Sequence, residues 1–179
     1  MRIDQVRRHF LRDTELPQIR NVLNAIDISA IEGRSISVAE CCQHKDLHCA
    51  NVVFDETGRP MIIDFGDVGI SLASADAVTL ELSTVFHPMH AQLPTGWPSM
   101  THMSSWLQVD VFAAESSFAA FIQSCRQWAV AEAGSREEIV AVAYAYALRQ
   151  LKYPGTDKEL ARTLIQTCIS YFDLMQPQN

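Results

Sequence analysis

Asp46, Asn51 and Asp64 are the residues whose types and spacing could do chemistry together. They lie in His44-Lys45-Asp46-Leu47-His48-Cys49-Ala50-Asn51 and in Ile63-Asp64-Phe65-Gly66. Magnesium takes hard oxygen donors and usually draws only one or two carboxylates from a protein. The carboxylate of Asp64 and the carboxamide oxygen of Asn51 supply such a set. A phosphoryl transfer also needs an acceptor for the proton of the attacking hydroxyl, and Asp46 stands on a tight loop just before Asn51. Glycine at 66 would let the chain turn sharply after the metal ligand. The bland alternative is that these residues cap turns around a hairpin, as Asp and Asn often do.

The element that must position them is a β-hairpin. Val52-Val53-Phe54 and Met61-Ile62-Ile63 are short β-prone runs, separated by the turn-rich Asp55-Glu56-Thr57-Gly58-Arg59-Pro60. A loop of Glu56 to Arg59 predicts that Asp55 faces Pro60 and that Asn51 faces Asp64. Cross-strand partners stand about 4.5–5.5 Å apart, close enough to share one cation. A slip of one residue would put the two side chains on opposite faces.

The stretch HKDLHCANVVFDETGRPMIIDFGD resembles the catalytic core of the aminoglycoside and choline phosphotransferases, within the wider kinase-like fold. The resemblance implies Asp46 as catalytic base, Asn51 and Asp64 as magnesium ligands, and His44 as a residue supporting the loop. It implies ATP and Mg2+ as cofactors and a small molecule with a hydroxyl group as acceptor. Lys45 stands where these phosphotransferases commonly have glycine. Two roles are open for it: contact with a nucleotide phosphate, or a side chain in solvent. The fold class expected is α+β, mainly α-helical: a protein-kinase-like C-terminal lobe whose small hairpin bears the catalytic loop and the Asp-Phe-Gly segment.

Ahead of His44 there is no Gly-rich loop, and Lys45 is the first lysine of the chain. The expectation is therefore a single domain over residues 1–179 that lacks the nucleotide-covering N-terminal lobe. A C-terminal lobe without that mate would expose an apolar face around the hairpin, where a protein partner or a second copy could dock. The alternative to an active transferase is accordingly an inactive remnant that binds or regulates another protein.

The bulk properties fit this reading. With 179 residues, 48% hydrophobic and 20% charged, the balance is that of a globular protein. A formal net charge of −7 argues against nucleic acid as partner and gives weak support to a cationic substrate. No apolar run is long enough to span a membrane, the N-terminus lacks the pattern of a secretory signal, and five cysteines without framework spacing point to reduced thiols in the cytoplasm. Cys41, Cys42, His44, His48 and Cys49 are dense in soft donors, but no second pair completes a zinc site, and the cysteines read as small core residues.

The flanks read as helices. Apolar stripes at Val6, Phe10 and Leu11 and at Ile19, Val22, Leu23 and Ile26 place helical pieces before Glu40. Residues 66–104 show no clear period, and Pro88, Pro94, Gly96 and Pro98 mark the second half of this stretch as loop. Trp106 to Ala133 reads as one long helix or two, closed by Gly134 as C-cap. Ser135 to Glu138 and Thr156 to Glu159 read as capping boxes opening two further helices. His87, His90 and His102 default to surface or locally bonded histidines. Asp67 and Asp76 have two readings, acids supporting the site or a helix cap and a solvated face. Trp97 and Trp106 read as core rather than as pocket lining, and Glu81, set between two leucines, is a candidate for burial by a partner.

Overall fold

The structure, a computed structural model, describes residues 1–87 and 96–175. Pro88, His90 and Pro94 lie outside the described residues. The chain is α+β and mainly helical. Its elements are α1 (Ile3–Arg8), α2 (Leu16–Leu23), α3 (Ser29–Glu32), β1 (Glu40–Gln43), β2 (Val52–Phe54), β3 (Pro60–Ile62), β4 (Gly69–Leu72), α4 (Ala75–Phe86), α5 (Met100–Ser104), α6 (Val109–Phe112), α7 (Ala119–Glu132), α8 (Arg136–Gln150) and α9 (Lys158–Leu174). Two antiparallel pairs make up the strands, β1 with β4 and β2 with β3.

Helix α8 is the axis of the molecule. Every residue from Glu138 to Leu148 is buried, and α1, α4, α7 and α9 pack around it. A helix covered on all sides needs no polar stripe. Helix α9 is the one-sided case, and it buries Leu160, Leu164, Cys168 and Phe172, as the four-residue spacing predicts. Helix α4 is buried from Ala75 to Phe86 apart from Leu80. Its lack of period follows from burial all round.

Buried polar groups join these helices. The Glu138 carboxylate accepts from the backbone N–H of Ala39 and of Gly134 at 2.8 Å, and from the N–H and hydroxyl of Ser74 at 3.0 and 2.7 Å. It thereby ties α8 to the approach to β1 and to the start of α4. The expected capping box is therefore half present: Ser135 Oγ accepts the Glu138 N–H, but the glutamate side chain reaches elsewhere. Gly134 is not a left-handed cap. A Cβ there would stand 2.5 Å from the backbone of Val38 and Ala39, so its role is close approach. At α9 the cap is Asp157, not Thr156; its carboxylate accepts from Glu159 N and Leu160 N.

Glu81 finds its partner inside the chain. It is fully buried, and both its oxygens take N–H groups of Arg126, at 2.9 and 2.6 Å. Trp106 Nε1 donates to it at 2.7 Å, and the Arg126 guanidinium lies 4.1 Å from the centre of the Trp106 ring. Trp97 and Trp106 are both core residues. Of the two readings of Trp106 to Ala133, one helix or two, the structure has two: Glu115 takes a φ of 65° and Ser116 Oγ accepts the Phe118 N–H, which separates α6 from α7.

Candidate active site

The loop from His44 to Asn51 leaves β1 and ends in a 3-10 turn, Cys49–Asn51, that enters β2. Helix α4 grips it at both ends. Asp76, buried in the first turn of α4, accepts the backbone N–H of His44 at 2.6 Å and of Lys45 at 2.9 Å. Gln43 returns the contact, its Oε1 taking the Asp76 N–H at 2.9 Å. Further along, Ser83 Oγ accepts the Cys49 N–H at 3.0 Å. A loop held this way keeps its side chains fixed although its own backbone forms no strand.

His44 ties the loop to the segment before Asp64. Its Nε2 lies 2.9 Å from the Ile63 carbonyl, which can only accept, so Nε2 carries the proton. Nδ1 is then an acceptor, buried and without a partner among the described residues. The ring also packs on Phe65, 5.3 Å between centroids. Asn51 is buried, and its Nδ2 donates to the Asp46 carbonyl at 2.9 Å. This bond fixes which end of the amide is oxygen.

The hairpin register differs from the expected one. Val52 pairs with Ile62, Val53 with Met61 and Phe54 with Pro60. Asn51 therefore faces Ile63, whose N–H reaches its carbonyl at 3.0 Å, and not Asp64. The cause is the loop, which is one residue shorter. Asp55 and Arg59 close it with a backbone bond of 3.0 Å, and Gly58 takes a φ of 81°, the arrangement of a three-residue hairpin loop with a glycine bulge. The Asp55 carboxylate accepts the N–H groups of Thr57 and Arg59, the Thr57 hydroxyl and Arg59 Nε. These bonds, the Thr57 hydroxyl first, lower its pKa to about 2.

The sharp turn after β3 is made by Asp64 itself, at φ 64° and ψ 63°, rather than by Gly66. Asp is among the few residues with a side chain that visit this region routinely. Gly66 sits in the 3-10 turn Phe65–Asp67; a Cβ there would meet Asp64 Oδ1 at 3.7 Å, an ordinary contact. The Asp64 carboxylate is exposed. Phe54, Met61, Ile62 and Ile63 of the hairpin, Phe65 after it and Ile70 of β4 are exposed as well.

Lys45 also takes a left-handed conformation, φ 70°. A lysine pays for this in strain that a glycine would not feel, about 1–2 kcal/mol. Its side chain runs beside Gly69, with Nζ 3.7 Å from where a Cβ of that glycine would stand. Lys45→Gly is expected to raise the unfolding free energy by about 1 kcal/mol, after the greater chain entropy of glycine is subtracted. Urea unfolding measures this, and a loss of stability would contradict it.

Asp46 faces a cavity of about 270 Å3 that the sequence did not disclose. Its lining includes Asp46, His48, His87, Tyr146, Arg149 and Tyr153. Arg149 Nη2 lies 3.2 Å from Asp46 Oδ1, and His48 Nε2 lies 3.6 Å from Oδ2. His48 and His87 stack with centroids 4.6 Å apart. Burial pushes the Tyr146 phenol up, so this group stays neutral. His48 comes from the same loop as Asp46, whereas His87 follows α4 and Tyr146 and Arg149 lie on α8, far from Asp46 in sequence, and no local signal could have placed these beside it. His102, by contrast, is bonded locally, with Nδ1 accepting the Ser99 N–H at 3.1 Å.

The remaining candidates are less central. Among the described residues no group of histidines, cysteines and acids is placed to hold a metal ion by itself. All five cysteines are free; Cys125 and Cys168 are buried, but Cys42 is exposed and Cys41 and Cys49 are half-buried, so these three are not core residues as expected. They sit on β1, a two-stranded edge, and on the loop.

Residues 3–90 match the phosphotransferase enzyme family. The likeness read from the residues is thus shown, for a part of the chain that holds every residue from His44 to Gly66. The phosphotransferase-family segment starts in α1 and runs through α4, so it takes in the helices before the loop as well as the hairpin. No curated protein and no solved structure matches the chain. Among the described residues no helix is long and apolar enough to cross a membrane.

Proposed function

We propose that the chain is a phosphotransferase domain that moves the γ-phosphoryl group of ATP to a hydroxyl of a small molecule. The observation that carries this is the position of Asp46. Its carboxylate opens on a cavity, while its backbone carbonyl is bonded to the side chain of Asn51. One residue thus links the acceptor side to the metal side.

Asp46 orients the acceptor hydroxyl and takes its proton. The hydroxyl oxygen bonds to the γ-phosphorus as the bond to the β–γ bridging oxygen breaks, and ADP leaves with that electron pair. Asn51 and Asp64 would hold magnesium: both offer a hard oxygen, one amide and one carboxylate. Asn51 stands opposite Ile63, so Asp64 would reach the ion from its left-handed turn beyond the strand rather than as the cross-strand partner of Asn51. The ion, when bound, neutralises the nucleotide phosphates. His44 holds the Ile63 carbonyl and so fixes the residue next to Asp64. Asp76 fixes the loop on which Asp46 stands. Lys45 is proposed as a contact for a nucleotide phosphate, reached by a swing of its exposed side chain. Catalysis in such a site is mostly positioning and charge neutralisation.

Thermal unfolding with and without millimolar Mg-ATP tests this reading. A ligand at 100 times its Kd stabilises by about 2.7 kcal/mol, a shift of several degrees in a chain of this size. The expected result is a magnesium-dependent rise that Asp64→Ala abolishes. The exposed apolar side chains of the hairpin, Phe54, Met61, Ile62 and Ile63, favour a second reading, a catalytically inactive module that docks a protein partner there. Absence of any Mg-ATP shift in the wild-type chain would move the weight to that reading.

A further inference from the structure

We infer that the acceptor is a small hydroxyl compound carrying an anionic group, carboxylate or phosphate, and that Arg149 reads that group. This rests on the phosphotransferase reading for the word acceptor, and on the cavity beside Asp46 for the rest.

The charges in the cavity decide the class. Among the described lining residues Asp46 is the sole carboxylate, and it is already paired with Arg149. A cationic acceptor would find no other anion to replace its water. The overall charge of −7 would admit cations, but the local charge does not follow it. The other polar groups here are Thr79, Gln150, Thr156, two tyrosines and two imidazoles, which hydrogen-bond but do not supply fixed negative charge.

Arg149 has capacity left. Its Nε donates to the Tyr153 hydroxyl at 3.1 Å and its Nη2 to Asp46 at 3.2 Å. Its Nη1 makes no hydrogen bond among the described residues, and it is not one of the buried unpartnered atoms, so solvent reaches it. Burial lowers its pKa, but the Tyr153 hydroxyl and the Asp46 charge raise it further, so the guanidinium remains charged. A planar cation held along one edge and open along another matches a carboxylate or phosphate oxygen. The same guanidinium would then span Asp46 and the anion, and would set the hydroxyl beside the carboxylate that takes its proton. The volume, about 270 Å3, falls just below the roughly 300–1,000 Å3 of pockets for drug-sized ligands, so the compound is small.

The test is calorimetric binding without nucleotide, using D-glycerate and glycerol 3-phosphate as anions, glycerol as the neutral match, and choline and kanamycin as cations. At least one anion is expected to bind more tightly than glycerol and both cations. Arg149→Met should weaken that anion at least about tenfold, the lower scale for a hydrogen bond to a charged group. Arg149→Lys, which keeps the charge and loses the fork, should recover part of the affinity and guards against a loss that merely reflects misfolding. Cations binding as tightly as the anions, no anion binding, or unchanged anion affinity in Arg149→Met would each overturn the inference. Because nucleotide is absent, failure of phosphoryl transfer leaves the result intact. Transfer from ATP to choline would uphold the phosphotransferase reading and remove this one.

Discussion

Asp46→Asn is expected to lower acceptor-dependent ADP release by at least about 10²-fold in kcat, the lower scale for a positioned base. Asparagine keeps the size of the side chain and an oxygen for Arg149 Nη2, which lies 3.2 Å from Asp46 Oδ1. It keeps the backbone carbonyl that holds Asn51. What it removes is the capacity to accept the proton. The Mg-ATP shift in thermal unfolding should therefore survive, since Asp46 is not one of the proposed metal ligands. A variant with wild-type turnover would take the base assignment away. A variant that lost nucleotide binding as well would mean that the loop had collapsed, and that the role of Asp46 is structural.

The second large effect concerns stability. Glu81→Ala is expected to cost about 3–5 kcal/mol, the usual range when one partner of a buried ion pair is removed. At roughly 2–4 °C per kcal/mol for a chain of this length, the melting point should fall by about 10 °C. Glu81 is fully buried and accepts two N–H groups of Arg126 together with the indole N–H of Trp106. Its removal leaves the Arg126 guanidinium without its counter-charge, held only by the Trp106 carbonyl and ring, and the indole N–H without its acceptor. The double variant Glu81→Leu with Arg126→Met should recover most of the loss, because it removes both charges and fills the space with apolar groups. A single variant as stable as the wild type would show that solvent reaches the pair.

The same physics separates what was legible in the sequence from what was not. The loop and hairpin were legible because their signals are local. Turn formers cluster between β-prone runs, and the residue types at His44, Asp46, Asn51 and Asp64 lie within a stretch that a short piece of chain must bring together. The register was missed by one residue. Whether the loop holds three or four residues depends on the Asp55 carboxylate, which accepts from Thr57 and Arg59, and on the left-handed Gly58. Neither leaves a mark on hydrophobic pattern. Helix α9 was legible because one face meets solvent. Helix α4 was not, because it is buried on nearly all sides and shows no period.

By itself, then, the sequence determined the chemistry that the segment from His44 to Gly66 could do, the hairpin that carries it and the amphipathic helices that flank it. The tertiary structure alone decided that Asp76 and Ser83 of α4 hold the loop, that Glu138 ties α8 to the loop's approach, and that Arg149 of α8 stands beside Asp46. Those contacts join residues about 30 to 100 positions apart. Backbone preference and spacing act over a few residues only, whereas a buried carboxylate is satisfied by whichever donors packing brings within about 3 Å.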